Sequence, residues 1–309
     1  MLERANDPGR EQESSVRTGA VVVGVDGSDA AVNAALWAAA VASRYETSLH
    51  IVHALPAVGH NMTDTVAAMR TAILAHRHES ADTILRGAEE IVRSRYHELE
   101  VTTLSTDVPV ADVLLQLGKT ARMIVVGNDE VTAAGALLLG STTLAVATRA
   151  DCPVVAWRGP NVVPTDGPVV VGVDGTPSSL AALENAFQFA ERFDVKLAAV
   201  RSWSSPLRAA AARLPLLIDW DALETAEWAQ LTNDVDGYNQ RYPQVSAPCF
   251  VEHAKPAVAL MDRCQADSAQ LVVVGSHGKT ALTSAILGST ALNLLQHATI
   301  PVMVCRPSR

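Results

Sequence analysis

The chain repeats itself at a constant offset of 148 residues, and no other feature constrains its fold as strongly. Three segments of the first copy return in the second: 21–28 (VVVGVDGS) as 169–176 (VVVGVDGT), 123–130 (MIVVGNDE) as 271–278 (LVVVGSHG), and 137–143 (LLLGSTT) as 285–291 (AILGSTA). Pro153 and Pro301 keep the same offset. Agreement in one register across most of each copy indicates a tandem duplication.

The boundary between the copies falls in a stretch of linker composition. Gly and Pro residues cluster from Gly159-Pro160 to Gly167-Pro168, a pattern typical of a connecting segment. We therefore expect a first domain at 19–160, here called the first copy, and a second domain at 166–309, the second copy. Residues 1–18 are charged and lack the apolar stretch of a signal peptide, so they predict a disordered arm.

Short β-branched runs alternate with longer Ala- and Leu-rich segments in both copies, which indicates βαβ units and a parallel sheet. The pattern predicts strands at 20–26, 48–54, 99–105, 122–127 and 153–157, with helices at 29–44, 64–97, 110–120 and 141–149. The second copy predicts strands at 168–174, 195–202, 247–252, 270–275 and 300–305. Because the strands are apolar on both faces, helices should cover both sides. The predicted fold class is α/β: two tandem doubly wound domains, Rossmann-like or flavodoxin-like, each a five-stranded parallel sheet flanked by helices.

Composition excludes several classes of partner and location. The 24 basic and 33 acidic side chains give a net charge of −9, which argues against nucleic acid or an anionic membrane as the main partner. No apolar run reaches the roughly 18 residues of a membrane-spanning helix. The four cysteines are widely spaced and form no C-x-x-C pair, which is typical of a reducing compartment. We expect a cytoplasmic protein.

The most informative residues of the second copy follow its predicted first and fourth strands, where doubly wound sheets bind ligands. The first strand leads into Gly172-Val173-Asp174, and the fourth into Gly275-Ser276-His277-Gly278, followed nine residues later by Gly288-Ser289-Thr290 at a helix start. Glycines let backbone N–H groups approach phosphate oxygens, and a helix N-terminus adds unpaired donors and a positive dipole end. The pattern predicts a phosphate cradle. An alternative for Asp174 and its counterpart Asp26 is that they only help to cap the next helix.

This G-x2-G-x9-G-[ST] pattern, with an Asp after the first strand, resembles the universal stress protein family in its tandem, ATP-binding form, over almost all residues from 20 to 306. The resemblance implies ATP accompanied by Mg²⁺, with Asp174 beside the adenosine and the glycine loop around the ribose and phosphates. It also implies that Arg201-Ser202, and His53-Ala54 in the first copy, border the adenine. The implied site residues of the second copy are Gly172, Asp174, Ser202, Gly275, Ser276, His277, Gly278, Lys279, Gly288, Ser289 and Thr290.

The first copy departs from the family pattern at its second glycine. Its corresponding residues are Gly24, Asp26, Ala54, Gly127, Asn128, Gly140, Ser141 and Thr142, but Glu130 replaces the glycine and Asp129 precedes it. A carboxylate about 4 Å from a phosphate charge costs on the order of 4 kcal/mol at an effective dielectric constant near 20. We expect the first copy to bind ATP weakly, only through a metal, or not at all. The competing possibility is a loop that turns Glu130 outward.

Other motifs carry less chemistry. Gly118-Lys119-Thr120 and Gly278-Lys279-Thr280 look like the end of a Walker A loop, but both lack its earlier glycine. Two interpretations of Lys279 stay open: a point charge that reaches a phosphate, or a solvated side chain. No G-x-S-x-G elbow and no zinc-ligand spacing occur. The sequence therefore predicts no catalytic residue.

The expected function is an ATP-binding regulator of stress response or growth arrest. One alternative is a slow ATPase or autophosphorylating enzyme, for which Asp174 and His277 are the only candidate bases. The other is a scaffold that acts without nucleotide.

Assembly is expected through the last strand of each copy. The resemblance implies that 153–157 and 300–305 pair, so that the two copies dock as an internal pseudo-symmetric pair, with a homodimer forming beyond it. The segments 63–97 and 215–241 differ most between the copies, and are where we expect specificity for an unidentified protein partner.

Overall fold

The computed structural model describes residues 18–55, 67–128, 139–203, 219–278 and 286–307, so nearly all of the predicted N-terminal arm lies outside it. The first copy contains β1 (Val21–Gly24), α1 (Asp29–Arg44), β2 (Leu49–Ala54), α2 (Ala67–Arg95), β3 (Val101–Thr106), α3 (Val110–Leu117), β4 (Met123–Gly127), α4 (Ser141–Arg149) and β5 (Val154–Trp157). The second copy contains β6 (Val169–Gly172), α5 (Pro177–Phe193), β7 (Leu197–Ser202), α6 (Trp220–Arg241), β8 (Cys249–Glu252), α7 (Pro256–Ala266), β9 (Leu271–Gly275), α8 (Ser289–His297) and β10 (Val302–Cys305).

The predicted fold class is confirmed. Each copy has five parallel strands, in the order β3-β2-β1-β4-β5 in the first and β8-β7-β6-β9-β10 in the second. The predicted strands begin and end within two residues of the observed ones, because the β-branched runs that predicted them are the buried strands. The central strand of each copy, β1 or β6, reverses the direction of strand addition, which creates the switch point of a doubly wound sheet.

The two copies join through their last strands into one ten-stranded sheet. β5 and β10 are antiparallel, which confirms the expected internal pairing. Residues separated by the repeat offset meet one another along this seam: Met303 pairs with Val155, the ring of Tyr45 lies 6.5 Å from that of Phe193, and Arg44 Nε donates to the Arg192 carbonyl. Contacts between equivalent residues are the signature of a twofold relation, so the copies form an internal pseudo-dimer.

The sheet is covered on both faces. Helices α1, α2, α5 and α6 pack on one face and α3, α4, α7 and α8 on the other. The strands between them are largely buried, except for the outermost strands β3 and β8, whose side chains are mostly half-buried. The first helix of each copy begins at a hydroxyl cap: Ser28 accepts from the Ala31 N–H, and Thr176 from the Ser179 N–H. Among the described helices, none combines the length and apolarity needed to cross a membrane.

Candidate functional site

The carboxyl ends of β6 and β9 lie where a doubly wound sheet leaves a ligand crevice, and this position is here called the crevice of the second copy. The strands are neighbours, yet the chain leaves β6 toward α5 on one face of the sheet and leaves β9 toward α8 on the other. The two loops therefore diverge and leave a gap above the strand ends. The predicted site residues that follow these strands flank this gap.

Asp174 has one carboxylate oxygen committed to the turn and one directed at the glycine loop. Its Oδ1 accepts from the Thr176 N–H at 3.0 Å and from Thr176 Oγ1 at 2.6 Å. Its Oδ2 lies 3.3 Å from the position that a β-carbon on Gly278 would occupy. Asp174 therefore supports the turn that caps α5, and its second carboxylate oxygen faces the glycine loop.

The three glycines of the motif have different surroundings and different structural roles. A β-carbon on Gly275 would lie 2.7 Å from the Ser178 carbonyl carbon, so this glycine lets β9 pass close to the first turn of α5. Gly278 is exposed and faces the Asp174 carboxylate. Gly288 donates its N–H to the Ser276 carbonyl at 2.8 Å, which ties the start of α8 to the loop after β9. Only the last two glycines are positioned at the crevice.

Helix α8 presents its N-terminus to the same crevice. Its cap residue is Gly288, which makes no side-chain cap hydrogen bond, and Ser289 and Thr290 form its first turn. The leading N–H groups of a helix have no partner within the helix. Together with the hydroxyls of the first turn, they are suited to bind an anionic group.

The hydroxyls of Ser276 and Ser202 are already engaged by other groups of the protein. The Ser276 side chain is fully buried and its hydroxyl lies 2.7 Å from Nδ1 of His277, while its N–H donates to the Cys305 carbonyl at 2.7 Å. Ser202 donates its hydroxyl to the Ala254 carbonyl. A β-carbon on Gly172 would lie 3.1 Å from Leu260, so this glycine accommodates α7 beneath the site. Lys279 lies outside the described residues.

Arg201 is part of a buried ionic cluster. Its side chain is 1% exposed and forms an ion pair with Glu227, donates to Gln230 Oε1 at 2.9 Å, and lies 3.7 Å from Asp234 Oδ2. All three partners are on α6, at the helical spacing i, i+3 and i+7 that places them on one face. Sequence reasoning missed them, although this spacing was the available signal.

The cluster lies against the turn that carries Asp174. Gly175 has φ +81°, and a β-carbon there would lie 3.1 Å from Gln230 Nε2 and 3.8 Å from Arg201 Nη1. The cluster therefore packs α6 onto the Asp174-Gly175 turn. In the first copy Gly27 has the same conformation, but it meets the apolar Ile84 instead, and His53 is bonded through Nδ1 to the Val25 carbonyl.

The first copy repeats the framework of the site. Gly127 approaches α1 as Gly275 approaches α5, with 2.9 Å between its β-carbon position and the Ala30 carbonyl group. Asp26 Oδ1 accepts from the Ser28 N–H and hydroxyl, as Asp174 does from Thr176. Ala54 ends β2, and Gly24 packs against Leu114.

The loop residues of the first copy are used differently. The Asn128 side chain donates its amide to the Leu295 carbonyl at 3.4 Å, across the seam in the second copy. Gly140 is the uncapped N-terminal residue before α4, which Ser141 and Thr142 begin. Asp129 and Glu130, which replace the open loop in sequence, lie outside the described residues.

The fold and the repeated strand-end loops define a tandem α/β protein of the doubly wound class. The family model described as "Universal stress protein family" matches residues 18–158 and 167–306. The chain therefore belongs to the universal stress protein family, and each copy is one such domain.

Relatives and solved structures agree over nearly the whole chain. A universal stress protein of Mycolicibacterium smegmatis is 34% identical over 292 residues, covering 93% of this chain and 97% of that protein. One of Mycobacterium tuberculosis is 33% identical over 306 residues, covering 93% and 97%. The crystal structure of a universal stress protein from Archaeoglobus fulgidus aligns with a TM-score of 0.68 at 16% identity, covering 94% of this chain and 100% of that one, which supports the fold.

Proposed function

We propose that the second copy binds ATP with Mg²⁺ and that the protein is a nucleotide-dependent regulator. The observation that carries the proposal is the convergence of Asp174 Oδ2, Gly278 and the uncapped start of α8 at one crevice of the sheet. Each supplies what a different part of a nucleotide requires.

The residues present fit a nucleoside triphosphate. The N–H groups at Ser289 and Thr290 would hold phosphate oxygens, since a helix N-terminus favours negative charge. Asp174 Oδ2 would accept from a ribose hydroxyl, because Oδ1 is already occupied by Thr176. Because Gly278 has no β-carbon, a phosphate oxygen could approach the backbone N–H groups beside it.

Magnesium would be held mainly by the triphosphate. Among the described residues no group of three His, Cys, Asp or Glu side chains could bind a metal ion. Mg²⁺ commonly keeps several waters and binds substrate phosphates together with one or two carboxylates. The triphosphate and waters would therefore supply its ligands, and Mg²⁺ would arrive with ATP.

We expect one nucleotide site per chain. In the first copy Glu130 stands where Gly278 stands in the second, and the Asn128 amide is committed to a carbonyl of the second copy. The Glu130 side chain would add bulk and negative charge where phosphates would bind, and the Asn128 amide is not available to them.

Turnover should be slow, which favours regulation over an ATPase. The two candidate bases are already engaged: Asp174 Oδ1 accepts two hydrogen bonds, and His277 Nδ1 is paired with the buried Ser276 hydroxyl. A general base must reach the proton it removes, so neither group is ideally placed for a water beside the γ-phosphate.

Calorimetric titration with Mg-ATP tests the proposal. We expect a stoichiometry of one per chain for the wild type, and no heat of binding for Asp174→Ala. Phosphate release measured on the same samples should stay near the background rate. No binding by the wild type would contradict the proposal, and a stoichiometry of two would contradict the assignment to one copy.

A homodimer is a second part of the proposal. Because β5 and β10 pair within the chain, a second chain must use another surface, such as the outermost strands β3 and β8. Light scattering should give twice the chain mass of 32.6 kDa, whereas a mass of one chain would contradict the homodimer.

A further inference from the structure

Residues of the first copy hold the C-terminal end of α8, the helix whose N-terminus faces the crevice. Arg158 follows β5 directly and is 1% exposed. Its Nη1 donates to the Ala298 carbonyl at 2.7 Å, and its Nη2 donates to the Leu295 carbonyl. Asn128 Nδ2 donates to the same Leu295 carbonyl at 3.4 Å. One helix of the second copy is thus bound at its end by two side chains of the first.

These contacts satisfy groups that the helix cannot satisfy alone. The last four carbonyls of an α-helix have no partner within the helix, and Leu295 lies among them. Ala298 is the extended residue that ends α8. A cation at a helix C-terminus is favoured by the helix dipole, and burial reduces the screening of this interaction.

The two copies contact each other closely beside Arg158. Gly159 has φ +93°, and a β-carbon there would lie 2.7 Å from the Thr299 carbonyl oxygen. The backbone after Arg158 therefore fits directly against the residues after α8. This contact, like the buried guanidinium, indicates a defined interface rather than a loose apposition.

The same interface reaches the altered loop of the first copy. Asn128 is the first residue after β4, and its N–H donates to the Trp157 carbonyl at 2.9 Å, next to Arg158. The loop that replaces the second glycine by Glu130 begins at the following residue. Asn128 therefore precedes this loop directly in the chain, while its side chain contacts the end of α8.

We propose that Arg158 and Asn128 are positioning residues for α8, through which the first copy sets the nucleotide affinity of the second. The proposal rests on the proposed function, because α8 supplies the phosphate donors. A nine-residue helix spans about 13.5 Å and is stiff over that length, so fixing its C-terminus also fixes its N-terminus. The first copy, with an altered nucleotide loop, retains a role as the support of the intact site.

Arg158→Met tests the proposal, with Arg122→Met as the matched control. Arg122 also joins the two copies: it donates to Gln188 Oε1 at 3.0 Å and its guanidinium carbon lies 3.8 Å from the centre of the Tyr45 ring. It precedes β4, and its contacts are with Gln188 on α5 and with Tyr45, the residue after α1. Both variants remove one arginine between the copies, but only Arg158 contacts α8.

Two measurements are made on both variants. Without nucleotide, hydrogen exchange of the α8 amides should accelerate in Arg158→Met and stay as in the wild type in Arg122→Met. By calorimetry, Arg158→Met should bind Mg-ATP about tenfold more weakly, equivalent to about 1.4 kcal/mol. Asn128→Ala, which keeps the buried arginine and serves if Arg158→Met does not fold, should show the same effects to a smaller extent.

The outcomes separate this proposal from the proposed function. Equal α8 exchange in the wild type, Arg158→Met and Asn128→Ala would overturn it, as would equal loss of affinity in Arg158→Met and Arg122→Met. A wild type that binds no Mg-ATP would overturn the proposed function and the effect on affinity. The exchange measurement would then still decide whether the first copy positions α8.

Discussion

Asp174 Oδ2 lies 3.3 Å from the place where a β-carbon on Gly278 would stand. The two residues belong to different motifs, one after β6 and one after β9, and the doubly wound topology brings them together. A carboxylate acceptor beside an open stretch of backbone donors matches the polar parts of a nucleotide. The two loops that the sequence repeat marks therefore meet at the proposed nucleotide site.

Gly278→Ala should weaken Mg-ATP binding and leave the fold intact. The new methyl group would meet only the Asp174 carboxylate among the described residues, at a distance that side-chain movement relieves, so the free energy of unfolding should change by less than about 1 kcal/mol. The displaced carboxylate and the blocked backbone should reduce the affinity measured by calorimetry.

Gly275→Ala is the matched substitution in the same motif, and it should instead destabilise the fold. Its methyl group would lie 2.7 Å from the Ser178 carbonyl carbon, and backbone cannot move aside as a side chain does. Overpacking of this kind costs about 1–3 kcal/mol, measured by urea unfolding. Equal destabilisation by both substitutions would show that Gly278 is also only a packing residue.

Asp174→Asn should reduce Mg-ATP affinity while the helix cap survives. The Asn oxygen can still accept from Thr176, but the charge opposite the ribose hydroxyl is lost. A hydrogen bond to a charged group contributes about 1.5–3 kcal/mol, so we expect a loss of roughly tenfold or more. Retained affinity with abolished phosphate release would instead support the enzyme alternative.

The strands and both loop motifs could be predicted because the repeat marks them twice. Asp26 and Asp174, for example, recur in the matching segments VDGS and VDGT, and the structure gives them equivalent hydrogen bonds with Ser28 and Thr176. Local spacing was enough here, because each contact joins residues close in the chain.

Contacts between distant elements could not be predicted. Gly275 matches the ligand motif, yet it packs against Ser178, because the crossing of β9 and α5 depends on the whole sheet. Arg201 stood at the expected adenine border, but it pairs with Glu227 and Asp234 because of how α6 is rotated against β7. A pattern of residues does not fix that rotation, which tertiary packing decides.

Arg201→Met should destabilise the second copy. Removing the buried guanidinium leaves Glu227 and Asp234, which share one face of α6, without their cation, and such a change costs about 3 kcal/mol or more. Urea unfolding measures the loss. The double variant Arg201→Met/Glu227→Met should recover much of it, because an apolar pair replaces the broken ion pair. A single variant as stable as the wild type would show that the cluster contributes little.

His50 should make the stability of the first copy depend on pH. The side chain is 5% exposed on β2, with Nδ1 2.6 Å from Thr102 Oγ1 and Nε2 buried without a hydrogen-bond partner among the described residues. Burial lowers the pKa of His50 below the ordinary 6.5. The unfolded chain therefore takes up a proton near pH 6.5 that the folded chain resists. The contribution of His50 to the free energy of unfolding is complete above that pH, and it is lost as the pH falls toward the folded-state pKa.

His50→Gln should remove that part of the acid dependence. Urea unfolding between pH 5 and 8 should show a wild-type free energy of unfolding that falls below pH 6.5 by up to about 1.4 kcal/mol per pH unit more steeply than that of the variant. His78→Gln, at an exposed position on α2, is the control and should keep the wild-type slope. Parallel curves for the wild type and His50→Gln would mean that the folded protein protonates His50 as readily as the unfolded chain does, despite its burial beside Thr102.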